Sequence, residues 1–95
     1  MANNFKVTVI SPKEILLDTY ATSVSGKNKN GKFDILKDHA HFISIFIGNI
    51  KIETEEKKYS FRSETGIIRC WDNSVQIYLV KLLSSTEHPP DAEIR

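Results

Sequence analysis

No apolar run in this 95-residue chain approaches the ~20 residues that a helix needs to cross a bilayer. The opening Met-Ala-Asn-Asn-Phe-Lys lacks the basic-then-apolar pattern of a secretory leader, so any work at a membrane is expected from the aqueous side. Cysteine is reduced to Cys70, which excludes an internal disulfide and removes any need for an oxidising compartment. Neither sign of charge is in excess: 13 Lys and Arg against 12 Asp and Glu leave a formal +1, too weak a field to wrap duplex nucleic acid. No paired-carboxylate or Ser/His/Asp arrangement stands out, and there is no internal repeat or low-complexity tract. What remains is 40% hydrophobic content in a chain long enough for one core and too short for two.

The stretch Gly31 to Gly48 organises the rest. Phe33 and Ile35 fall on one side of an extended segment, with Lys32 and Asp34 on the other. Phe42, Ile43, Ile45, Phe46 and Ile47 are aromatic or β-branched, which suits a strand half or fully buried in a sheet. Between them Lys37-Asp38-His39-Ala40-His41 reads as a polar corner.

Upstream, Phe5, Val7 and Val9 alternate in an opening strand that Ser11-Pro12 ends, because proline removes a ladder donor. Ile15-Leu16-Leu17 reads as a short strand broken by Asp18, and Tyr20 to Ser25 as another that stops at Gly26. The loop from Gly26 to Gly31 is dense in turn formers. Downstream, Ile50 to Thr54, Tyr59 to Phe61, Gly66 to Trp71 and Ser74 to Val80 read as further strands, with Asp72-Asn73 as a tight turn in which both residues tolerate the left-handed conformation. The pattern predicts an all-β fold, an antiparallel β-sandwich or flattened barrel of about 8–10 short strands over residues 1–83, followed by a polar tail over 84–95 with a double proline.

The order of these features carries a resemblance. Phe-x-Val-x-Val-Ile-Ser-Pro followed by Ile15 to Asp18, then Gly31-x-Phe33-x-Ile35-Leu36 running into His39-Ala40, Gly48, and Gly66 leading to Asp72-Asn73 and Val75, resembles the N-terminal β-sandwich of the epsilon-subunit family of F-type ATP synthases over roughly residues 5 to 80. The chain departs from that pattern at Asp34, where the family usually has glycine, at Lys37 and Asp38 in place of proline and a small residue, at His41 in place of proline, and at Thr65-Gly66 in place of a double glycine. The family's following helical hairpin has no counterpart in these residues, so inhibition by that hairpin and an ATP site completed by it are not expected.

The resemblance implies a non-catalytic rotor part of a proton-translocating ATP synthase with no cofactor of its own. It would pack on the gamma subunit, touch the polar loops of the c-ring, and meet a membrane only through that complex, on the cytoplasmic face of a bacterial inner membrane, without being an obligate homo-oligomer. The positions matching the family's ring-facing loops are Lys32, Lys37, Asp38, His39 and His41; an acidic residue is common at the position of Lys32, so charge is reversed there. Changes at Lys32 or His39 are expected to leave the melting point nearly unchanged while weakening coupling. Phe33→Ala or Phe46→Ala should cost roughly 3 to 5 kcal/mol if the ring is fully buried.

Other readings of the same residues stay open at this level. Asp38, His39 and His41 suit a metal or a solvated, partner-facing corner. Cys70 next to Trp71 suits a packed small hydrophobe or, with a histidine, a nucleophile. The lysines from Lys27 to Lys32 suit a solvated hairpin tip or a phosphate contact that lacks the usual helix start. Trp71 suits an interface anchor or the core. The whole pattern also suits a free-standing β-sandwich adaptor that holds some other protein through an exposed sheet or the Asp38 to His41 corner.

Overall fold

The computed structural model describes residues 4–37 and 41–88, with the backbone alone at His88. Within these residues there are eight strands and no helix: β1 Phe5–Ile10, β2 Ile15–Ala21, β3 Ser23–Asn28, β4 Gly31–Ile35, β5 Phe42–Glu53, β6 Lys58–Trp71, β7 Ser74–Leu79 and β8 Leu82–His88. The all-β expectation holds, but the strands are not uniformly short. β5 joins the Phe42 and Ile50 segments into 12 residues, and β6 joins the Tyr59 and Gly66 segments into 14.

These two long strands make the sandwich. They pair from Phe42↔Cys70 to Phe46↔Gly66, shift register, and resume from Gly48↔Ser63 to Glu53↔Lys58. The shift leaves Ile47 opposite both Glu64 and Thr65, a bulge that bends the pair. Gly48 turns the corner on β5 with φ +79°, a conformation that side-chain-bearing residues rarely adopt. On either side of the bend the neighbours change. Residues 66–71 of β6 continue to β7, β1 and β2, whereas residues 58–63 pair with β8, and the second half of β5 continues to β3 and β4. The result is a first sheet in the order β2-β1-β7-β6-β5 and a second in the order β4-β3-β5-β6-β8, sharing β5 and β6.

Ser63, 1% exposed, holds the inside of the bend. Its hydroxyl donates to the Thr65 carbonyl at 2.7 Å and accepts from the Lys81 N–H at 3.2 Å. The Thr65 hydroxyl donates to the Phe46 carbonyl at 3.2 Å across the strands. A second crossing between sheets occurs at Thr22, between β2 and β3, where N–H and hydroxyl both donate to the Glu53 carbonyl at 2.7 and 3.2 Å.

One apolar cluster fills the space between the sheets. Phe5, Val7, Val9, Ile68, Cys70, Val75 and Ile77 come from the first, Val24, Ile35, Ile50, Ile52 and Phe61 from the second. Each such buried side chain contributes about 1.5–3 kcal/mol by leaving water. The strict alternation of β1 and β7 is what delivers these residues to one side.

Four local expectations change. β1 and β7 run parallel, whereas the other described pairings are antiparallel; with most of the chain between them, no hairpin constrains their direction. Asp18 does not break β2: it points outward, ion-paired with Lys6 at 3.0 Å and accepting from the Thr8 hydroxyl at 3.5 Å. Gly26 lies inside β3, because a side chain there would collide with Ile50 and Phe33. Residues 84–88, placed in the tail by composition, extend the second sheet as β8 against β6. Ser and Thr carry no cost in a strand whose backbone finds a ladder, and Glu87 meets Lys57 at 2.8 Å. The tight turn at Asp72-Asn73 is as read, with φ +55° and +62°.

Candidate functional site

β5 is apolar on both sides, which an antiparallel sheet with one wet face does not require. Phe42 and Phe46 point inward, whereas Ile43, Ile45 and Ile47 point out. Register then extends the outward side into a row. Ile45 pairs with Ile67, Ile67 with Tyr78, Tyr78 with Ile10, and Ile10 with Ile15, so one apolar line crosses all five strands of the first sheet. Ile15, Ile45, Ile67 and Tyr78 are 61, 64, 42 and 39% exposed. Isolated exposed hydrophobics need no explanation, but a contiguous row on a sheet already packed on its other side marks a contact surface.

The neighbouring row is polar apart from Ile43 at its end, with Arg69, Gln76, Thr8 and Asp18 following in register and the Arg69 guanidinium donating to Gln76 Oε1 at 3.3 Å. Beyond it Trp71 is 52% exposed, its ring stacked on His41 with centroids 3.8 Å apart and planes 19° from parallel, and Arg69 lies 5.7 Å from the ring centre. Trp71 therefore belongs to the outer face and not to the core. Asp18 holds the Lys6 ammonium above its usual range, chiefly through the hydrogen bond between them.

On the second sheet the β3–β4 hairpin has a different character. Lys27 stands directly across from Lys32, Ser25 across from both Asp34 and Lys51, and the Ser25 hydroxyl donates to Asp34 at 2.6 Å. Between this hairpin and the middle of β5 runs a groove of about 430 Å³ lined by these side chains together with Asn49, Phe33 and Ile47. The hairpin tip is fixed by the Asn28 side-chain carbonyl, which accepts from the Asn30 N–H at 2.8 Å, and by the Asn28 amide, which donates to Ser44 at 3.1 Å.

The residues singled out from the sequence do not form one cluster. Lys32 belongs to the groove, at the start of β4; Lys37 is exposed past the other end of that strand; His41 is tied to Trp71. Asp38 and His39 lie outside the described residues. Among the described residues no group of three or more His, Cys, Asp or Glu side chains could hold a metal ion. Cys70 is buried in the core cluster, and burial pushes its thiol up from the usual range. Only the thiolate attacks, so Ellman's reagent should consume Cys70 in the native chain no faster than the chain unfolds, and at once in denaturant. Rapid titration of the folded protein would contradict this placement. The apolar row was not visible in the sequence: the run from Phe42 to Ile47 read as a half or fully buried strand, and only the structure shows that its isoleucines point out and what they line up with.

Residues 4–82 match the family described as ATP synthase, Delta/Epsilon chain, beta-sandwich domain. The ATP synthase epsilon chain of Leptospira interrogans serogroup Icterohaemorrhagiae serovar copenhageni is 36% identical over 77 residues, which cover 80% of this chain and 61% of that protein. The ATP synthase epsilon chain of Clostridium perfringens is 30% identical over 94 residues, covering 96% of this chain and 67% of that one. This chain thus spans about three fifths of the length of the Leptospira relative. Among solved structures, a chain of the Tetrahymena thermophila mitochondrial ATP synthase central stalk and c-ring superposes with a TM-score of 0.72 at 16% identity, covering 83% of this chain and 65% of that one. A chain of the Euglena gracilis mitochondrial ATP synthase assembly of OSCP, F1 and c-ring gives 0.77 at 19% identity, covering 84% and 52%. At these identities the structures share the fold.

Proposed function

Since the chain belongs to the ATP synthase delta/epsilon family, we propose that it is a non-catalytic central-stalk subunit of a rotary, proton-translocating ATP synthase, bound to gamma and bearing on the c-ring at the cytoplasmic face of a bacterial inner membrane. The observation that carries the reading is the outward apolar row of the first sheet. It offers gamma a flat, continuous surface on an element that is already rigid on its inner side.

The function needs stiffness more than chemistry. A rotor part must pass torque between two contacts without yielding, and two sheets that merely packed face to face would resist sliding through side-chain contacts alone. Here β5 and β6 run unbroken through both sheets, so a load applied to one layer reaches the other along covalent backbone. The hydrogen-bonded bend at Ser63 and Thr65 stiffens that path. Lys32, Lys37, Asp38, His39 and His41 are proposed as the ring-facing positions, and gamma is held on the apolar row of the first sheet, which the row of Arg69 and Gln76 separates from the stacked Trp71 and His41.

Exchanging Ile45 and Ile67 for glutamate tests the gamma face. Both side chains point to water, so the melting temperature should move by no more than the equivalent of about 1 kcal/mol. Recovery of gamma with the tagged chain should be lost, because two charges would be buried without partners on assembly. Undiminished recovery of gamma by this variant would place the contact elsewhere.

A further inference from the structure

The connection between β3 and β4 holds a reactive pair of residues. Asn30 is followed by Gly31, the one place in the chain where glycine comes after asparagine. An asparagine side chain can be attacked by the main-chain nitrogen of the next residue, which a side chain on that residue shields; glycine has none. The structure adds what the dipeptide alone does not supply. Asn30 is exposed, and among the described residues its side chain has no hydrogen-bond partner. Gly31 has φ +119°, and a Cβ built on it meets nothing within 4 Å, so the space beside it is open. Gly31 is also the last rung of the β3–β4 ladder, opposite Asn28, and a terminal rung frays without the strands unfolding.

The other asparagines of the described residues lack this combination. Asn28 engages both ends of its amide, accepting from the Asn30 N–H at 2.8 Å and donating to Ser44 at 3.1 Å. Asn4 precedes Phe5, which is buried, and Asn49 precedes Ile50, a stiff β-branched residue with 0% exposure inside the β5–β6 pairing. Asn73 precedes Ser74, held in register by Trp71 on one side and Lys6 on the other.

We propose that Asn30 is a site of spontaneous deamidation in the folded chain. The Gly31 nitrogen gives its proton to solvent base and attacks Asn30 Cγ. The new C–N bond forms as the bond from Cγ to the side-chain nitrogen breaks, and that nitrogen leaves as ammonia with a proton from water. The succinimide then takes up water. Opening at Cγ restores an ordinary peptide with aspartate at position 30, whereas opening at the main-chain carbonyl leaves the chain running through Cγ as isoaspartate. Water enters and ammonia departs, with nothing oxidised or reduced. Either product puts a carboxylate among Lys27, Lys29 and Lys32, of which Lys27 and Lys32 face each other as like charges across the ladder. The formal charge falls from +1 to zero. Isoaspartate also lengthens the connection by a main-chain atom, which the pairing of Asn28 with Gly31 cannot absorb unchanged. Asn30 and Ile45 line one hollow of about 260 Å³, so the new charge borders the outward apolar row.

The test incubates the whole chain in mildly alkaline buffer, native and in concentrated guanidinium chloride, and follows each asparagine by mass spectrometry of peptides cut at glutamate. Asn30 should gain about 1 Da before any other asparagine does. The native rate should be no less than about a tenth of the denatured rate, because fraying of the tip is sufficient. An isoaspartate-specific methyltransferase with S-adenosylmethionine should label the incubated chain. Asn30→Gln, which would have to close a larger and slower ring, should melt like the parent and lose both signals. Greater suppression in the native chain, towards the thousandfold or more that a need for global unfolding would impose, overturns the proposal. Earlier modification at Asn28 or Asn73, or survival of the signals in Asn30→Gln, overturns it as well.

Discussion

Phe46→Ala should lower stability by about 3–5 kcal/mol, read as a drop of about 15 °C or more in the thermal midpoint followed by circular dichroism. Phe46 is the largest of the fully buried side chains, with 0% exposure. It sits at the last pairing before the bend of β5, where its ring lies over Gly66 of the neighbouring strand. The cavity left by alanine is bounded by paired backbone on both strands, which limits how far the walls can relax. Domains of this size hold only about 5–15 kcal/mol in total, so the variant would stand near the threshold of folding. Phe33→Ala makes the contrast. Its ring is only half-buried, tilted by 54° against Phe42 with centroids 5.6 Å apart, and about 1–2 kcal/mol is expected. Equal losses at the two positions would mean that the bend is not a rigid wall.

The periodicity of Phe5-Val7-Val9 and of Phe33-Ile35 was sufficient to assign both strands and the residues that share a face, with Phe33 half-buried and the others buried, and the strand read over Ser74 to Val80 was found as Ser74–Leu79. Periodicity failed where two strands are one. Gly48 and the Ser63-Glu64-Thr65 segment look like turns, since glycine and short polar residues interrupt the pattern. In the folded chain they are bends inside continuous strands, fixed by hydrogen bonds to Phe46, Lys81 and Val80 that no local pattern encodes. Gly26 misled in the same way: it marks a close approach of β3 to Ile50 and Phe33, not the end of a strand. Surface readings fared unevenly for a related reason. Exposure of Ile43, Ile45 and Ile47 follows from alternation once Phe46 is placed inside, but alignment of Ile45 with Ile67, Tyr78, Ile10 and Ile15 depends on register across residues far apart in sequence. The lysine pair at Lys27 and Lys32 could be seen in the sequence as a hairpin tip; the groove that it shares with Lys51, which pairs with Ser25, could not.

Gly66→Ala should be the most damaging single-methyl addition in the chain. Alanine is favoured over glycine in an unfolded-state account by about 0.4–1 kcal/mol wherever the native backbone accepts it, and Gly66 is not in a positive-φ conformation. The obstacle is space. A Cβ built at this position runs into the Phe46 ring and comes within 2.5 Å of the Tyr78 carbonyl oxygen. Neither neighbour can retreat, because Gly66 is paired with Phe46 on β5 and with Leu79 on β7 at once. Overpacking of this kind typically costs about 1–3 kcal/mol, and the backbone clash places Gly66→Ala at about 3 or above. Gly48→Ala provides the opposite case, with open space around it but φ +79°, so that its smaller cost of about 1 kcal/mol would come from backbone strain alone. Urea denaturation of Gly66→Ala, Phe46→Ala and the double variant separates the two obstacles. Removing the ring relieves one clash and leaves the other, so the double variant should lose less than the sum of the singles by about 1 kcal/mol. Strict additivity would mean that the ring and the glycine do not meet. The same geometry explains why Thr65 can carry a side chain beside a glycine that cannot: its hydroxyl is turned to the Phe46 carbonyl, while the position of Gly66 lies between two paired strands, where only hydrogen fits.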